Sequence, residues 1–358
     1  MNDPRPVLFV TNHAPSFRVG AFAALHARED VAFALIGGRV RHGGGAGSEA
    51  ALPFPVLRCA QKTIYRLAAS GRFRAVIAGL SGRLAPAAAW AGARHAGIPF
   101  VLWATMWAHP RTPAHALSYL PVRHLYRHAD AVVTYGPHVS AYVSRKGARG
   151  PVHVAPQSVD GDFWGAPAPA LRRAPFQVAF ASRLEAEKGT AVLAEAWRRT
   201  GLEAPDAALV VAGDGPLRAA LVDAGATVLG ASPPHVVREV YAGSDVVVLP
   251  SLATRAFREP WGLTINEAFH RGVPVVASDA VGAVAGGLLC DGLNGLVVTA
   301  GDPGSLAAAL LRLHGDPETR KRLGVAARRS VREHSHEAWS TGMSRALASV
   351  GESRTVVA

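Results

Sequence analysis

Two carboxylates, Glu259 and Glu267, stand eight positions apart in REPWGLTINEA, where an apolar run gives way to the start of a helix. Asp245 precedes the continuous apolar run 246–249, the pattern of a buried parallel strand. Pro250 and Ser251 end it, and a polar loop carries the first glutamate. Gly262 permits a tight turn, and Thr264 is placed to cap a helix running through Asn266 and Glu267 to about Arg271. Gly272 and Pro274 stop that helix before a second apolar run, 275–277. Backbone N–H groups near Leu263, Thr264 and Ile265 would then face the carboxyl edge of a parallel sheet, an arrangement suited to a phosphate. With one carboxylate before this anion site and one just inside the helix, a nucleotide-sugar could be held at both ends. The spacing alone also fits two solvated charges.

A second constellation is cationic. Arg183 and Lys188 lie five apart after an apolar run, with Gly189 opening the next helix. Breaking a sugar–phosphate bond puts growing negative charge on a diphosphate, and fixed cations stabilise it. Arg engages two oxygens at once, while Lys acts as a point charge. The competing reading is a surface salt bridge with Glu185 or Glu187. No Asp-x-Asp stands at a strand end, so the expectation is that no metal ion is bound.

In context, REPWGLTINEA resembles the signature of family 4 glycosyltransferases, retaining enzymes of the GT-B fold. ASRLEAEKG (181–189) is similar to that family's arginine–lysine diphosphate loop, and VVAGDGPLRAAL (210–221) to its strand, glycine turn and helix. VAPQSVDGDFW (154–164) resembles the segment closing the first domain, and DGLNGLVV (291–298) the strand following the donor site. The likeness is strong over the second half and loose over the first. It implies that Glu267 binds the ribose hydroxyls and that Glu259 lies by the donor sugar. It implies that Gly213 leaves room near the nucleotide and that Gly230 borders the base. Each glycine also fits a plain turn. The Gly-Gly loop common after the first strand of the family is missing; Ser16, Arg18 and Gly20 occupy that region. Arg18 would supply charge where relatives supply backbone amides, or it is a surface arginine. His109, in WATMWAHPRT, is the candidate for the histidine that family members place near the transferred sugar; a solvated loop histidine is the alternative. Trp103 and Trp107 are sugar platforms or core aromatics, with the core the better reading for Trp103.

The elements that must position these groups follow from periodicity. Strand-like runs at 8–10, 31–36, 75–78, 100–103, 131–134 and 152–155 fill the first half. Runs at 178–181, 209–212, 227–229, 246–249, 275–277 and 296–298 fill the second. Strands alternating with helix-length segments predict parallel sheets covered on both faces. Two such sets predict an α/β chain of GT-B type: two doubly wound Rossmann-like domains facing an interdomain cleft. The expected division is an acceptor-side domain at 1–165, a Pro- and Ala-rich linker at 165–175, and a nucleotide-sugar-binding domain at 176–335. The resemblance implies that the last helix, within 336–358, crosses back to the first domain. The glycine-rich stretch 39–48 reads as a mobile loop too irregular for a P-loop.

Composition removes several function classes. The chain of 358 residues is long enough for two cores. No apolar run approaches the ~20 residues of a membrane span. The opening MNDPRPVLFVTN lacks the basic region and cleavage site of a signal peptide. Cys59 and Cys290 form neither a disulfide framework nor a zinc set, which favours a reducing cytoplasm. The formal charge of +12 comes almost wholly from Arg, more like the coding bias of a GC-rich bacterial genome than a selected surface. No recognition helix, zinc finger or RNA-binding signature accompanies it, so nucleic acid is not expected as a partner. A basic cluster, Arg111, His115, Arg123, His124, Arg127 and His128, is interleaved with Leu117, Leu120 and Leu125. It reads as a solvated helix face packed by its leucines or, alternatively, as a peripheral contact with the anionic inner membrane face.

The reading is a metal-independent transferase with no cofactor, moving a sugar from a nucleotide diphosphate donor to a hydroxyl acceptor. Its rivals are a nucleotide-sugar epimerase of the same fold and a catalytically silent binding module. A dinucleotide-dependent dehydrogenase is disfavoured, because no G-x-G-x-x-G follows the first strand.

Overall fold

The computed structural model describes residues 3–37 and 52–355. The glycine-rich stretch 39–48 lies outside the described residues. The chain divides into two units, Met1–Ser158 with Ser335–Ala358, and Val159–His334.

The first unit is built on seven strands: β1 (Val7–Thr11), β2 (Val31–Leu35), β3 (Val56–Arg58), β4 (Ala75–Gly79), β5 (Phe100–Ala104), β6 (Ala131–Thr134) and β7 (Val152–Val154). Their order is β3-β2-β1-β4-β5-β6-β7, and every pairing is parallel. Strand β3 was not expected; Val56 to Arg58 is too short and too exposed to leave a hydrophobic signature. The connecting helices are α1 (Ser16–Glu29), α2 (Ile64–Ala68), α3 (Ala85–His95), α4 (Pro113–His128) and α5 (Pro137–Arg145).

The second unit opens with α6 (Gly161–Gly165), followed by β8 (Phe176–Ala181), α7 (Thr190–Thr200), β9 (Ala207–Ala212), α8 (Arg218–Val222), β10 (Thr227–Gly230), α9 (Pro234–Ala242) and β11 (Val246–Leu249). Then come α10 (Leu263–Arg271), β12 (Val275–Ser278), α11 (Gly282–Ala285), β13 (Gly295–Val298), α12 (Pro303–Gly315) and α13 (Pro317–Ser330). The strand order is β10-β9-β8-β11-β12-β13, again all parallel. Buried Val, Leu and Phe of β8, β9 and β11 meet Leu193, Trp197, Leu306 and Leu310 of the covering helices. Sheets buried on both faces in this way give continuous apolar strands rather than alternating ones.

The division falls at Ser158, before the stretch 165–175 expected as the linker. That stretch is fastened to the second unit. Leu171 N–H donates to Glu239 O at 3.0 Å, and Arg172 donates to Gly243 O at 3.0 Å and to Asp245 at 2.8 Å. The final helix, α14 (His336–Thr355), belongs to the first unit. It buries Trp339, Met343, Ala346 and Val350. The Trp339 ring lies 5.7 Å from Phe22 and 5.8 Å from Trp103. Gly342 allows close approach to β7, since a side chain there would run into Val154 O.

Candidate functional site

In the second unit the order reverses between β8 and β11, the point where an open parallel sheet leaves a crevice beyond its carboxyl ends. The loops leaving these two strands carry Arg183 with Lys188 and Ser251 with Glu259. The switch in strand order therefore brings together side chains 71 positions apart. Lys188 Nζ lies 2.5 Å from Glu259 Oε2. Ser251 Oγ donates to the same oxygen at 3.1 Å. Phe257 places its ring 5.0 Å from the ammonium. Glu259 is only 7% exposed, so this is a buried charge held by a cation and a hydroxyl. Its worth lies in fixing the two groups rather than in net stability, because desolvation offsets most of the attraction.

Two glycines make the cation loop possible. Gly189 adopts φ 72°, and a side chain there would strike Pro250 O, so the β8 and β11 loops touch backbone to backbone. Gly213 faces Ser182 O in the same way. A side chain at Gly213 would strike the Ser182 backbone, so the glycine lets the cation loop pack against this turn. Leu184 N–H donates to Asp214 O at 2.9 Å, and Leu217 N–H to Leu184 O at 3.0 Å, locking the loop to the turn. Asp214 accepts from the Gly215 N–H at 2.8 Å. Gly230 pairs with Gly213 across an isolated bridge and needs its φ of 83°.

Arg183 forms ion pairs with Glu185 and, at 3.4 Å, with Glu187. This is the salt bridge that sequence offered as the alternative to a diphosphate contact. For Glu185, burial works towards a higher pKa, but hydrogen bonding with Glu187 and Arg183 and the charges of Arg183 and Lys188 lower it overall.

Helix α10 begins two residues earlier than a Thr264 cap would place it. Gly262 is the N-cap, at φ 96°, and no side chain caps the helix. A Cβ on Gly262 would lie 2.6 Å from Leu249 Cδ2. Thr264 sits inside the first turn and donates through Oγ1 to Ala181 O at 3.4 Å. The Ile265 N–H donates to Gly262 O at 3.0 Å, and its side chain is buried, so the helix offers an anion the N–H groups of Leu263 and Thr264. Glu267 lies one turn further on, half-buried. Burial raises its pKa to about 7, although Tyr241 Oη donates to its Oε2 at 3.4 Å. Tyr241, on the buried face of α9, and Ser251 and Phe257 were not singled out in the sequence. In the sequence Ser251 marks only the end of a strand.

The remaining candidates belong to the first unit. His109 follows β5 and donates from Nε2 to His115 O at 2.7 Å, with Tyr119 5.3 Å away ring to ring. Its Nδ1 is enclosed, with no hydrogen-bond partner among the described residues. Arg18 is not a surface arginine: it is 4% exposed, in the first turn of α1 beyond the carboxyl end of β1. Trp103 is a core aromatic, packed edge-on to Phe9 and Tyr135. Trp107 sits edge-on to His138 at 5.1 Å. On α4, Leu125 is buried, but Leu117 and Leu120 are 84% and 69% exposed, so the leucines do not all pack that face inward. No helix among the described residues is long and apolar enough to cross a membrane.

Residues 167–330 match the family model described as Glycosyl transferases group 1. The chain is 41% identical over 98 residues, 26% of its length, to a D-inositol 3-phosphate glycosyltransferase of Corynebacterium diphtheriae, covering 21% of that protein. It is 34% identical over 164 residues, 42% of its length, to the protein of the same name in Paenarthrobacter aurescens, covering 38%. The chain thus spans well under half the length of these curated relatives. Among solved structures, Anabaena Alr3699/HepE in complex with UDP and glucose superposes with a TM-score of 0.75 at 18% identity, over 96% of this chain and all of that one. That likeness shows the fold, two parallel α/β Rossmann-like domains of GT-B type.

Proposed function

We propose that the protein is a glycosyltransferase that moves a sugar from a nucleotide diphosphate donor to a hydroxyl acceptor, with retention at the anomeric carbon. The observation that carries this reading is the Lys188–Glu259 pair at the reversal point of the second sheet. A cation and a carboxylate fixed against each other suit the two ends of a phosphate–sugar linkage. Lys188, Arg183 and the Leu263 and Thr264 N–H groups take the charge that grows on the leaving diphosphate. Glu259 faces the sugar, and Glu267 receives the ribose hydroxyls. The β-phosphate of the departing nucleotide accepts the acceptor proton, so no side-chain base is needed. These cations also fill the neutralising role of a divalent ion, so the reaction runs without metal or cofactor. Relatives named as D-inositol 3-phosphate glycosyltransferases and a fold neighbour bound to UDP and glucose support a nucleotide-sugar donor.

The test is turnover against a panel of nucleotide diphosphate-sugars, UDP-sugars first, with released nucleotide and glycosylated product both followed. Transfer to a hydroxyl acceptor supports the reading. Interconversion of the donor sugar without transfer identifies an epimerase, and absence of turnover with retained nucleotide binding identifies a silent module.

The exposed Leu117 and Leu120, beside the basic residues of α4, support a cytoplasmic enzyme that rests on an anionic bilayer. Sedimentation with vesicles containing phosphatidylserine should fall on Leu117→Glu. Equal binding by wild type and variant removes this contact.

A further inference from the structure

Among the described residues, the first unit holds a buried cation with no counter-charge. The Arg18 guanidinium donates through Nη2 to Gln157 Oε1 and, at 3.2 Å, to Tyr135 Oη. Its Nη1 has no hydrogen-bond partner, and it forms no ion pair among the described residues. Its other neighbours are aromatic: Trp103, Phe17, Tyr135 and Trp339 place ring centroids 5.1, 5.4, 5.5 and 6.0 Å from the guanidinium carbon. A buried charge is normally neutralised by an opposite charge, and cation–π contacts recover only part of the desolvation cost. Burial accordingly lowers the Arg18 pKa, but an arginine keeps its proton and so keeps its need for an anion.

The surroundings fit a ligand anion better than a structural one. Arg18 sits at the first unit's own reversal in strand order, between β1 and β4, beyond the carboxyl ends. Helix α1 has Pro15 as its N-cap and no side-chain cap, so its first N–H groups add to the positive field. Phe17 covers the guanidinium while 37% exposed, and is the most exposed ring of the cage.

We propose that Arg18 is the receptor for an acidic group, phosphate or carboxylate, on the acceptor substrate. The assignment to the acceptor rests on the transferase reading above. There the donor diphosphate is already matched in the second unit by Arg183, Lys188 and the α10 N-terminus, and the remaining substrate is the acceptor.

The experiment uses inorganic phosphate as the probe, in a Lys188→Ala background that removes the main competing cation. Melting is followed with phosphate against chloride at equal ionic strength. Phosphate should raise the melting temperature by about 3 °C beyond the general salt effect. Adding Arg18→Met should abolish that specific rise, while melting without phosphate stays level or improves, because a buried unpaired charge has been replaced by an apolar side chain. An undiminished phosphate response with Arg18→Met overturns the proposal. If that variant does not fold, arginine-labelled Lys188→Ala protein is titrated with phosphate by NMR; a buried guanidinium signal that does not move overturns it equally. UDP calorimetry then fixes the source of the anion. Arg18→Met with Lys188 intact should bind UDP within about two-fold of wild type, and a loss of about ten-fold or more would transfer Arg18 to the donor and defeat the acceptor assignment. An Arg18-dependent phosphate response in a protein that binds no nucleoside diphosphate would keep the anion site and remove the transferase reading.

Discussion

Lys188 and Glu259 bind each other in the free protein, so each residue's role is separable only by what its loss does to binding and to turnover. Lys188→Ala or Arg183→Ala should lower turnover at least about ten-fold, about 1.4 kcal/mol of transition-state stabilisation, with less effect on donor binding. Wild-type turnover in either variant would contradict the diphosphate assignment. Glu259→Gln should bind bare nucleoside diphosphate normally and transfer poorly, whereas Glu267→Gln should weaken bare nucleotide binding; calorimetry showing the reverse would exchange or remove these roles. Glu267 also carries a signed pH dependence. Its pKa is raised from 4.5 to about 7 in the fold, so the folded protein holds that proton more tightly than the unfolded chain. Its contribution is fully present below the ordinary carboxylate value and is lost as pH rises through about 7. Glu267→Gln does not titrate, so its melting temperature should gain on wild type between pH 4.5 and 8. A difference constant across that range would contradict the buried carboxyl.

At the level of elements, the site depends on how loops leave β8, β9 and β11. Gly189→Ala introduces a side chain at φ 72° against Pro250 O and should cost about 1–3 kcal/mol, visible as a lower denaturation midpoint, and should also separate Lys188 from Glu259 and depress turnover. A fully stable, fully active Gly189→Ala would show that the two loops need not touch. Much at this scale was legible in the sequence. Apolar runs fully buried on both faces announced the inner strands, and Gly272 and Pro274 marked the carboxyl end of α10. Strand β3 was not legible, because an edge strand with exposed Leu57 and Arg58 has no hydrophobic period to read. Nor was the N-cap of α10: the residue rule favoured Thr264, but close packing against Leu249 selects a glycine at 262. Arg18 hides for a related reason. Nothing in NHAPSFRVG distinguishes a surface arginine from one enclosed by Trp103, Tyr135 and Trp339, which come from three distant parts of the chain.

For the whole molecule, the period of the strands predicted two parallel units, and the order of each sheet then determined which loops could carry ligands. The proposed cation set makes a metal unnecessary, so activity should persist in excess EDTA; complete loss, restored by magnesium or manganese, would require ligands other than those described. The central claim is sugar transfer powered by the second unit's cations and carboxylates. It is tested most directly by following a labelled sugar from a panel of nucleotide diphosphate donors in wild type and in Lys188→Ala. The account predicts that at least one donor yields labelled glycosylated product and free nucleoside diphosphate in equal amounts, and that Lys188→Ala slows that transfer by about ten-fold or more. Product formed equally fast without Lys188 would contradict it, as would a folded protein that binds nucleoside diphosphate and transfers sugar from no donor.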